Sequence, residues 1–303
     1  MAGGPVVRYL PRMNSRRARR LWPIGALVCV AAIVVGCDQP TSSPAAGSAS
    51  PTTDEGFVLV AMGDSIPYNS PNDCPGCTGF VDSYASYLGA GLGEPVTVKN
   101  VSRHDGARSI DILGQVQSGS LETILGSADM VIISIGFNDQ PPFVYAPEGC
   151  PPAPTSDSPA ALAAAAPSQA CIDAVVPVIE DQVAKVFSGI RAASPAAVVA
   201  VLTPYDTWRG WTALNALDDA ALAALLDAET NWFHTWNAAL CTEAEAIDAI
   251  CVDVYRAFNG ADGTRPAGDL VVPGDYTHPS QKGNDTIRDL LESSPLFDAL
   301  PSG

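Results

Sequence analysis

The chain has 303 residues, of which 47% are hydrophobic and 16% charged, and its formal net charge is −17. This length fits one large domain, and no internal repeat is present. A strongly acidic surface repels phosphate backbones, so nucleic acid is not an expected partner.

The first 36 residues have the pattern of a secretory leader. Six arginines up to Arg20 precede the apolar run 21–35, which is shorter than the about 20 residues that span a bilayer. The next residues, Val34-Val35-Gly36-Cys37, resemble a bacterial lipobox, whose cysteine receives lipid. We therefore expect residues 1–36 to be a lipoprotein signal peptide. A lipid on Cys37 would then anchor the protein to the cell membrane, outside the cytoplasm.

An ordinary signal peptide with a chance cysteine is the alternative, and the choice between Sec and Tat export stays open. Residues 37–56 are small, polar and rich in proline, so we predict a disordered tether before a single domain at 57–303. Without the leader, 10 basic residues face 33 acidic ones, a net charge of about −23. Membrane attachment would then depend on the lipid alone.

Six cysteines remain in the predicted domain, and an even number in an exported chain indicates disulfides. Fifteen pairings are conceivable, and we favour the three sequential ones because each closes a local loop: Cys74 with Cys77, Cys150 with Cys171, and Cys241 with Cys251. A redox or metal motif is the alternative for Cys74-Pro75-Gly76-Cys77. No metal site is expected, since none of the three histidines stands at ligand spacing to a cysteine pair.

Short apolar runs alternate with segments of helical periodicity along the predicted domain. We predict strands at 57–63, 96–101, 129–135, 197–203 and 249–255, with helices near 79–91, 109–126, 168–193, 218–246 and 280–293. Apolar strands separated by helices are typical of a parallel sheet covered on both faces. The predicted class is α/β, a three-layer sandwich with a central, mainly parallel five-stranded sheet.

Residues 140–170 form an unusually long connection with eight prolines and a polyalanine run. Long loops in compact domains are generally functional or disordered. This one leaves the carboxyl end of a predicted strand, where ligands of open α/β sheets bind. We expect it to form a wall or lid over the substrate, with Phe143, Val144 and Tyr145 as contacts; a disordered surface loop is the alternative.

Three short polar stretches follow predicted strands, and a fourth lies near the C-terminus. Gly63-Asp64-Ser65 ends the first strand, Gly106 follows the second, and 136–139 (Gly-Phe-Asn-Asp) follows the third. Asp275 and His278 stand three residues apart. Each stretch alone is as well explained by a turn or a helix cap.

Together and in this order, the stretches resemble the four blocks of the SGNH, or GDSL, hydrolase family. The family's Ser, Gly, Asn and His correspond here to Ser65, Gly106, Asn138 and His278, although the segment from Asn100 to Gly106 carries one residue more than usual. The resemblance spans nearly the whole predicted domain. It implies the SGNH hydrolase fold and ester hydrolysis without metal or cofactor.

The resemblance also implies a role for each residue. Ser65 would be the nucleophile, His278 its base and Asp275 the acid that orients the histidine. The backbone N–H groups of Ser65 and Gly106 and the side-chain amide of Asn138 would form the oxyanion hole.

Two other polar residues lie close to these blocks in the sequence. Asp64 is then expected to brace the nucleophile turn and not to be the triad acid. His104 is a rival base, but its neighbour is Asp105, and adjacent side chains normally diverge; His104 would at most line the pocket.

We therefore predict a monomeric, membrane-anchored serine esterase or lipase that acts on a small-molecule or lipid ester. Carbohydrate deacetylation or thioester cleavage on the same site is an alternative, and a non-catalytic surface binding lipoprotein is a further one. Trp208 and Trp211 are predicted substrate contacts, although paired tryptophans are as often core residues.

Overall fold

The computed structural model of the chain describes residues 56–141, 147–154, 156 and 158–300. Its strands are β1 Phe57–Gly63, β2 Val96–Asn100, β3 Met130–Ser134, β4 Val198–Leu202 and β5 Ile250–Val252. Its helices are α1 Ser65–Tyr68, α2 Phe80–Leu92, α3 Ser109–Gln117, α4 Glu122–Gly126, α5 Pro159–Ala164, α6 Gln169–Ala193, α7 Asp219–Glu245, α8 Val254–Asn259 and α9 Gln281–Ser293.

The five strands form one parallel sheet in the order β2-β1-β3-β4-β5. Every residue of β1 and β3 is buried, as their central positions and apolar sequences require. Since all strands run in the same direction, their carboxyl ends meet at one edge of the sheet. The predicted α/β class and parallel five-stranded sheet are confirmed.

The helices cover the sheet in two packed groups. Helix α2 packs against α9, which also contacts α8, whereas α6 packs against both α3 and α7. Asp218 caps the start of α7 by accepting a hydrogen bond from the Ala221 backbone. The apolar face of α7 then buries Trp232 and Trp236 in the core.

Two of the predicted elements have different bounds in the structure. The predicted helix 109–126 is divided into α3 and α4, because Gly119 adopts a left-handed φ of 70° between them. The predicted strand 249–255 ends at Val252, because the Asp253 side chain accepts from the Arg256 backbone and caps α8.

Within the 140–170 connection, the polyalanine run forms α5, whose N-cap is Ser158. The predicted signal peptide, the lipid site Cys37 and nearly all of the predicted tether lie outside the described residues, as do Phe143, Val144 and Tyr145. Among the residues that are described, no helix combines the length and the apolar character that crossing a bilayer requires.

Candidate active site

Ser65 stands on a tight turn at the carboxyl end of β1. Asp64 is the N-cap of α1, and its Oδ1 accepts a hydrogen bond from the Ile66 backbone at 2.9 Å, as expected for a turn-bracing residue. Burial raises the pKa of Asp64 to about 7, and the hydrogen bond from the Ile66 backbone opposes this shift. The turn directs Ser65 to the sheet edge at which the other strands end.

His278 connects the serine to an aspartate. Its Nε2 lies 3.0 Å from Ser65 Oγ, and its Nδ1 lies 2.9 Å from Asp275 Oδ2. The structure therefore brings together three side chains that the sequence places up to 213 residues apart. This is the geometry of a nucleophile, a base and a residue that orients the base.

The turn from Asp275 to His278 is held by several hydrogen bonds. The backbone N–H groups of Thr277 and His278 donate to Asp275 Oδ1 at 2.8 and 2.9 Å, and the Tyr205 hydroxyl donates to the Thr277 carbonyl at 2.8 Å. Tyr276 has a φ of 60°, which few residues other than glycine adopt. Backbone strain of this kind is often retained at functional sites.

Charges around His278 change its titration. Burial lowers its pKa, but the carboxylates of Asp275, Asp73 and Asp64 raise it by more, so that the pKa lies above the ordinary 6.5. Burial raises the pKa of Asp275, but its hydrogen bond to His278 and the positive charge there outweigh burial, so that the net shift is downward. Asp275 thus stays ionised while it orients the imidazole.

Gly106 and Asn138 lie next to each other at the same edge. A Cβ added to Gly106 would stand 3.9 Å from Asn138 Oδ1, and a φ of 71° makes glycine the suitable residue there. Asn138 Nδ2 donates to the Ala107 carbonyl at 3.1 Å, which fixes the amide plane. An amide has two N–H donors, so the second can serve a ligand.

Asp139 joins the Gly106 loop to the segment that follows β3. Its two carboxylate oxygens accept from the Ser109 backbone at 3.1 and 3.0 Å, and Oδ2 also accepts from the Ser109 hydroxyl at 2.8 Å. Burial raises the pKa of Asp139 to about 6, and the Ser109 hydrogen bonds oppose this shift. The carboxylate thereby fixes the start of α3, three residues after Gly106, relative to Asn138.

Asp73, which also faces His278, was not predicted from the sequence. Asp73 Oδ2 lies 3.5 Å from His278 Nε2 and accepts a hydrogen bond from His104 Nε2 at 2.8 Å. His104 thus contacts Asp73, and its ring centroid is 6.5 Å from that of His278. The neighbouring Cys74 was the one sequence signal for this position, since a disulfide would hold Asp73 in a rigid loop.

The structure contains the three favoured disulfides, Cys74–Cys77, Cys150–Cys171 and Cys241–Cys251. The first belongs to the loop that carries Asp73. The second joins the 140–170 connection to the start of α6, and the third joins α7 to β5.

Trp208 and Trp211 are partly buried and contact each other, with ring centroids 5.7 Å apart. Trp208 Nε1 donates to Oε1 of Gln140 at 3.4 Å, and Gln140 directly follows Asp139 in the chain. Thr212 Oγ1 lies 3.2 Å from the hydroxyl of Tyr276, in the histidine turn. The pair therefore lies beside both loops, whereas a contact with substrate stays a prediction.

The chain matches the model of the GDSL-like Lipase/Acylhydrolase family over residues 61–286, and it belongs to that family. Its members are ester-hydrolysing serine hydrolases, and this chain is one of them. A search of curated proteins finds no match.

Solved structures share the fold. The lipase Lip_vut3 from a goat rumen metagenome has a TM-score of 0.58 at 17% identity, over 78% of this chain and 96% of that one. A GDSL-like lipase candidate from Parabacteroides merdae has a TM-score of 0.50 at 18% identity, over 80% and 95% of the two chains.

Proposed function

We propose that Ser65, His278 and Asp275 hydrolyse carboxylic esters through an acyl-serine intermediate. The observation that carries the proposal is the continuous contact from Ser65 Oγ through the imidazole to the Asp275 carboxylate. A serine hydroxyl is a weak nucleophile until an adjacent base accepts its proton. An aspartate on Nδ1 holds the histidine in the tautomer whose Nε2 accepts that proton.

In the first half of the reaction, Ser65 Oγ attacks the ester carbonyl carbon while His278 Nε2 takes the hydroxyl proton. The carbonyl oxygen becomes an anion. The backbone N–H groups of Ser65 and Gly106 and the second amide N–H of Asn138 stabilise this anion. Because Asn138 is already oriented by Ala107, its donor needs no reorganisation when the charge develops.

The tetrahedral intermediate then breaks its bond to the alcohol. His278 Nε2–H donates its proton to the departing oxygen, which leaves as the alcohol and a Ser65 acyl ester. Water then hydrolyses the acyl ester by the same steps in reverse. His278 takes a proton from water, the hydroxide attacks the acyl carbon, and Ser65 Oγ leaves with the proton that His278 returns.

Labelling by a fluorophosphonate probe tests this function. The wild type should be labelled and should hydrolyse p-nitrophenyl esters, and Ser65→Ala should lose both properties while keeping its fold. Ser102→Ala is a matched control, because Ser102 is equally buried and its hydroxyl has no partner among the described residues. Esterase activity in folded Ser65→Ala protein would refute the mechanism.

The N-terminal pattern supports a finer proposal, that the enzyme acts outside the cytoplasm from a lipid anchor on Cys37. Mass spectrometry of the mature wild type should find an acylated N-terminus at Cys37, and Cys37→Ser should give an unlipidated protein. A mature start at another residue, without acyl chains, would contradict the anchor.

A further inference from the structure

A second histidine–aspartate pair lies beside the catalytic base. Asp73 Oδ2 is 3.5 Å from His278 Nε2 on one side and 2.8 Å from His104 Nε2 on the other. The Asp73 side chain is 11% exposed, whereas that of His104 is 43% exposed. The pair thus reaches from the reacting nitrogen to the solvent, and the mechanism above does not use it.

The position of the pair relates it to one half of the substrate. His278 Nε2 must come within about 3 Å of the departing alcohol oxygen in order to protonate it. Since Asp73 is 3.5 Å from the same nitrogen, that oxygen departs within reach of the pair. An ester bound in this way can therefore place its alcohol part against Asp73 and His104.

We propose that Asp73 and His104 form a binding site for the alcohol part of the ester and favour alcohols with additional hydroxyl groups, as in glycerol or a sugar. A carboxylate accepts several hydrogen bonds, so Asp73 can accept from a substrate hydroxyl as well as from His104. An apolar alcohol would cover these polar groups without hydrogen-bonding to them, which is unfavourable.

The loop that carries Asp73 is suited to a fixed binding site. The backbone N–H groups of Asp73 and Cys74 donate to the Ser70 carbonyl at 3.0 and 3.2 Å, and Cys74 is bonded to Cys77. The exposed ring of Tyr68 lies against His104, with centroids 5.3 Å apart. A polyol would thus meet a carboxylate, an imidazole and an aromatic surface together.

This inference rests on the proposed function and is tested with two esters of one acid. Glycerol 1-monobutyrate and propyl butyrate have the same acyl group and differ only in the two extra hydroxyls of glycerol. We expect the wild type to have the higher kcat/KM for the glycerol ester on the pH plateau. The Asp73→Ala substitution should lower the ratio of the two kcat/KM values about tenfold, the effect of losing a hydrogen bond to a charged group.

His104→Ala should lower this ratio as well, and the isosteric Asp73→Asn serves if Asp73→Ala does not fold. Asp105→Ala is the matched control, because it removes another carboxylate from the same surface. The Asp105 side chain is 61% exposed and pairs with Arg103, so the ratio of the two kcat/KM values should equal that of the wild type. Monoacetyl glucose compared with ethyl acetate repeats the test with a sugar, and a preference there that depends on Asp73 supports the proposal equally.

Equal loss on both butyrates in Asp73→Ala would overturn the proposal, because Asp73 would then act only through His278. An unchanged ratio in both alanine variants, or a wild type without preference, would overturn it too. Failure of the proposed function itself is a different outcome, namely a wild type that hydrolyses neither ester and is not labelled by the fluorophosphonate.

Discussion

His278 has a carboxylate near each of its two ring nitrogens. Asp275 contacts Nδ1, and Asp73 lies 3.5 Å from Nε2. Burial alone would lower the histidine pKa, but these charges and that of Asp64 raise it. Only the neutral imidazole accepts the serine proton, so activity should fall as the pH falls through the raised pKa.

The wild-type profile of kcat/KM against pH should therefore show an acid limb with an apparent pKa above the ordinary 6.5. Asp73→Asn removes one of the raising charges, so its limb should move to lower pH. The measurement is the initial rate of ester hydrolysis across a buffer series, with Asp105→Asn as the control for loss of a distant charge. A wild-type limb at or below 6.5 would contradict the electrostatic argument.

Asn138→Ala should lower kcat by about 10² to 10³, the usual effect of losing one oxyanion donor. KM should change far less, because the amide matters chiefly once negative charge has developed on the carbonyl oxygen. Steady-state kinetics on a p-nitrophenyl ester separates the two constants. An increase in KM at unchanged kcat would make Asn138 a substrate-binding residue instead.

A buried carboxylate, that of Asp139, connects the start of α3 to the segment after β3. The Asp139 pKa is raised from 3.8 to about 6, so the folded state binds this proton more tightly than the unfolded state does. The resulting stabilisation is fully present below pH 3.8 and is lost as the pH rises through about 6. The hydrogen bonds from Ser109 remain at higher pH, and only part of the stabilising effect of Asp139 is lost.

Asp139→Asn should accordingly lower the free energy of unfolding by about 1 to 3 kcal/mol, because the side-chain amide cannot accept every Ser109 bond. The deficit relative to wild type should be larger near pH 3.8 than above about 6. Urea unfolding at several pH values measures it. Ser109→Ala removes a single donor and should give a smaller loss. A stability deficit that grows with pH would contradict the predicted direction of the pH dependence.

The Cys150–Cys171 bridge spans 21 residues and fixes the far end of the connection that begins after Asp139. Replacing both cysteines by serine should lower the free energy of unfolding by about 2 to 4 kcal/mol. If the connection is a lid over the acyl group, the double variant should also lose selectivity among p-nitrophenyl esters of increasing acyl length.

The bridge between Cys241 and Cys251 offers the matched control, because it joins α7 to β5 and does not involve the 140–170 connection. Serine at both positions should reduce stability without altering acyl selectivity. Unchanged selectivity in a folded Cys150→Ser, Cys171→Ser protein would leave the connection without a role in substrate choice.

The five-stranded sheet was predicted closely from the sequence. Buried parallel strands must be apolar throughout, so β1 and β3 were found to within one residue. The place of His278, which follows no strand, came only from the resemblance to a family, whereas Ser65, Gly106 and Asn138 follow β1, β2 and β3 and were predicted to meet at the sheet edge. Side chains at the ends of neighbouring parallel strands have little freedom to lie elsewhere.

What could not be predicted lies in loops. The segment before Gly106 turns at 104–106, which places the glycine beside Asn138 and His104 near His278. Asp73 reaches the site through a short disulfide loop, and no periodicity marks such a residue. Likewise, β5 ended early because Asp253 caps a helix, a local hydrogen bond that competes with strand extension.

His278 lies just before the last helix, α9, and its late place in the chain delays activity during synthesis. The side-chain oxygens of Gln281 and Asn284 accept hydrogen bonds from the backbone N–H groups of Thr78 and Phe80 at the start of α2. These bonds hold the last helix against the part of the domain that carries Ser65. A growing chain therefore carries Ser65 through 213 further residues before the histidine that activates it is made. Chains ending before His278 should resist fluorophosphonate at every length, so a cell that aborts translation releases fragments unable to hydrolyse esters. Labelling of any such fragment would show that the serine is activated by another base.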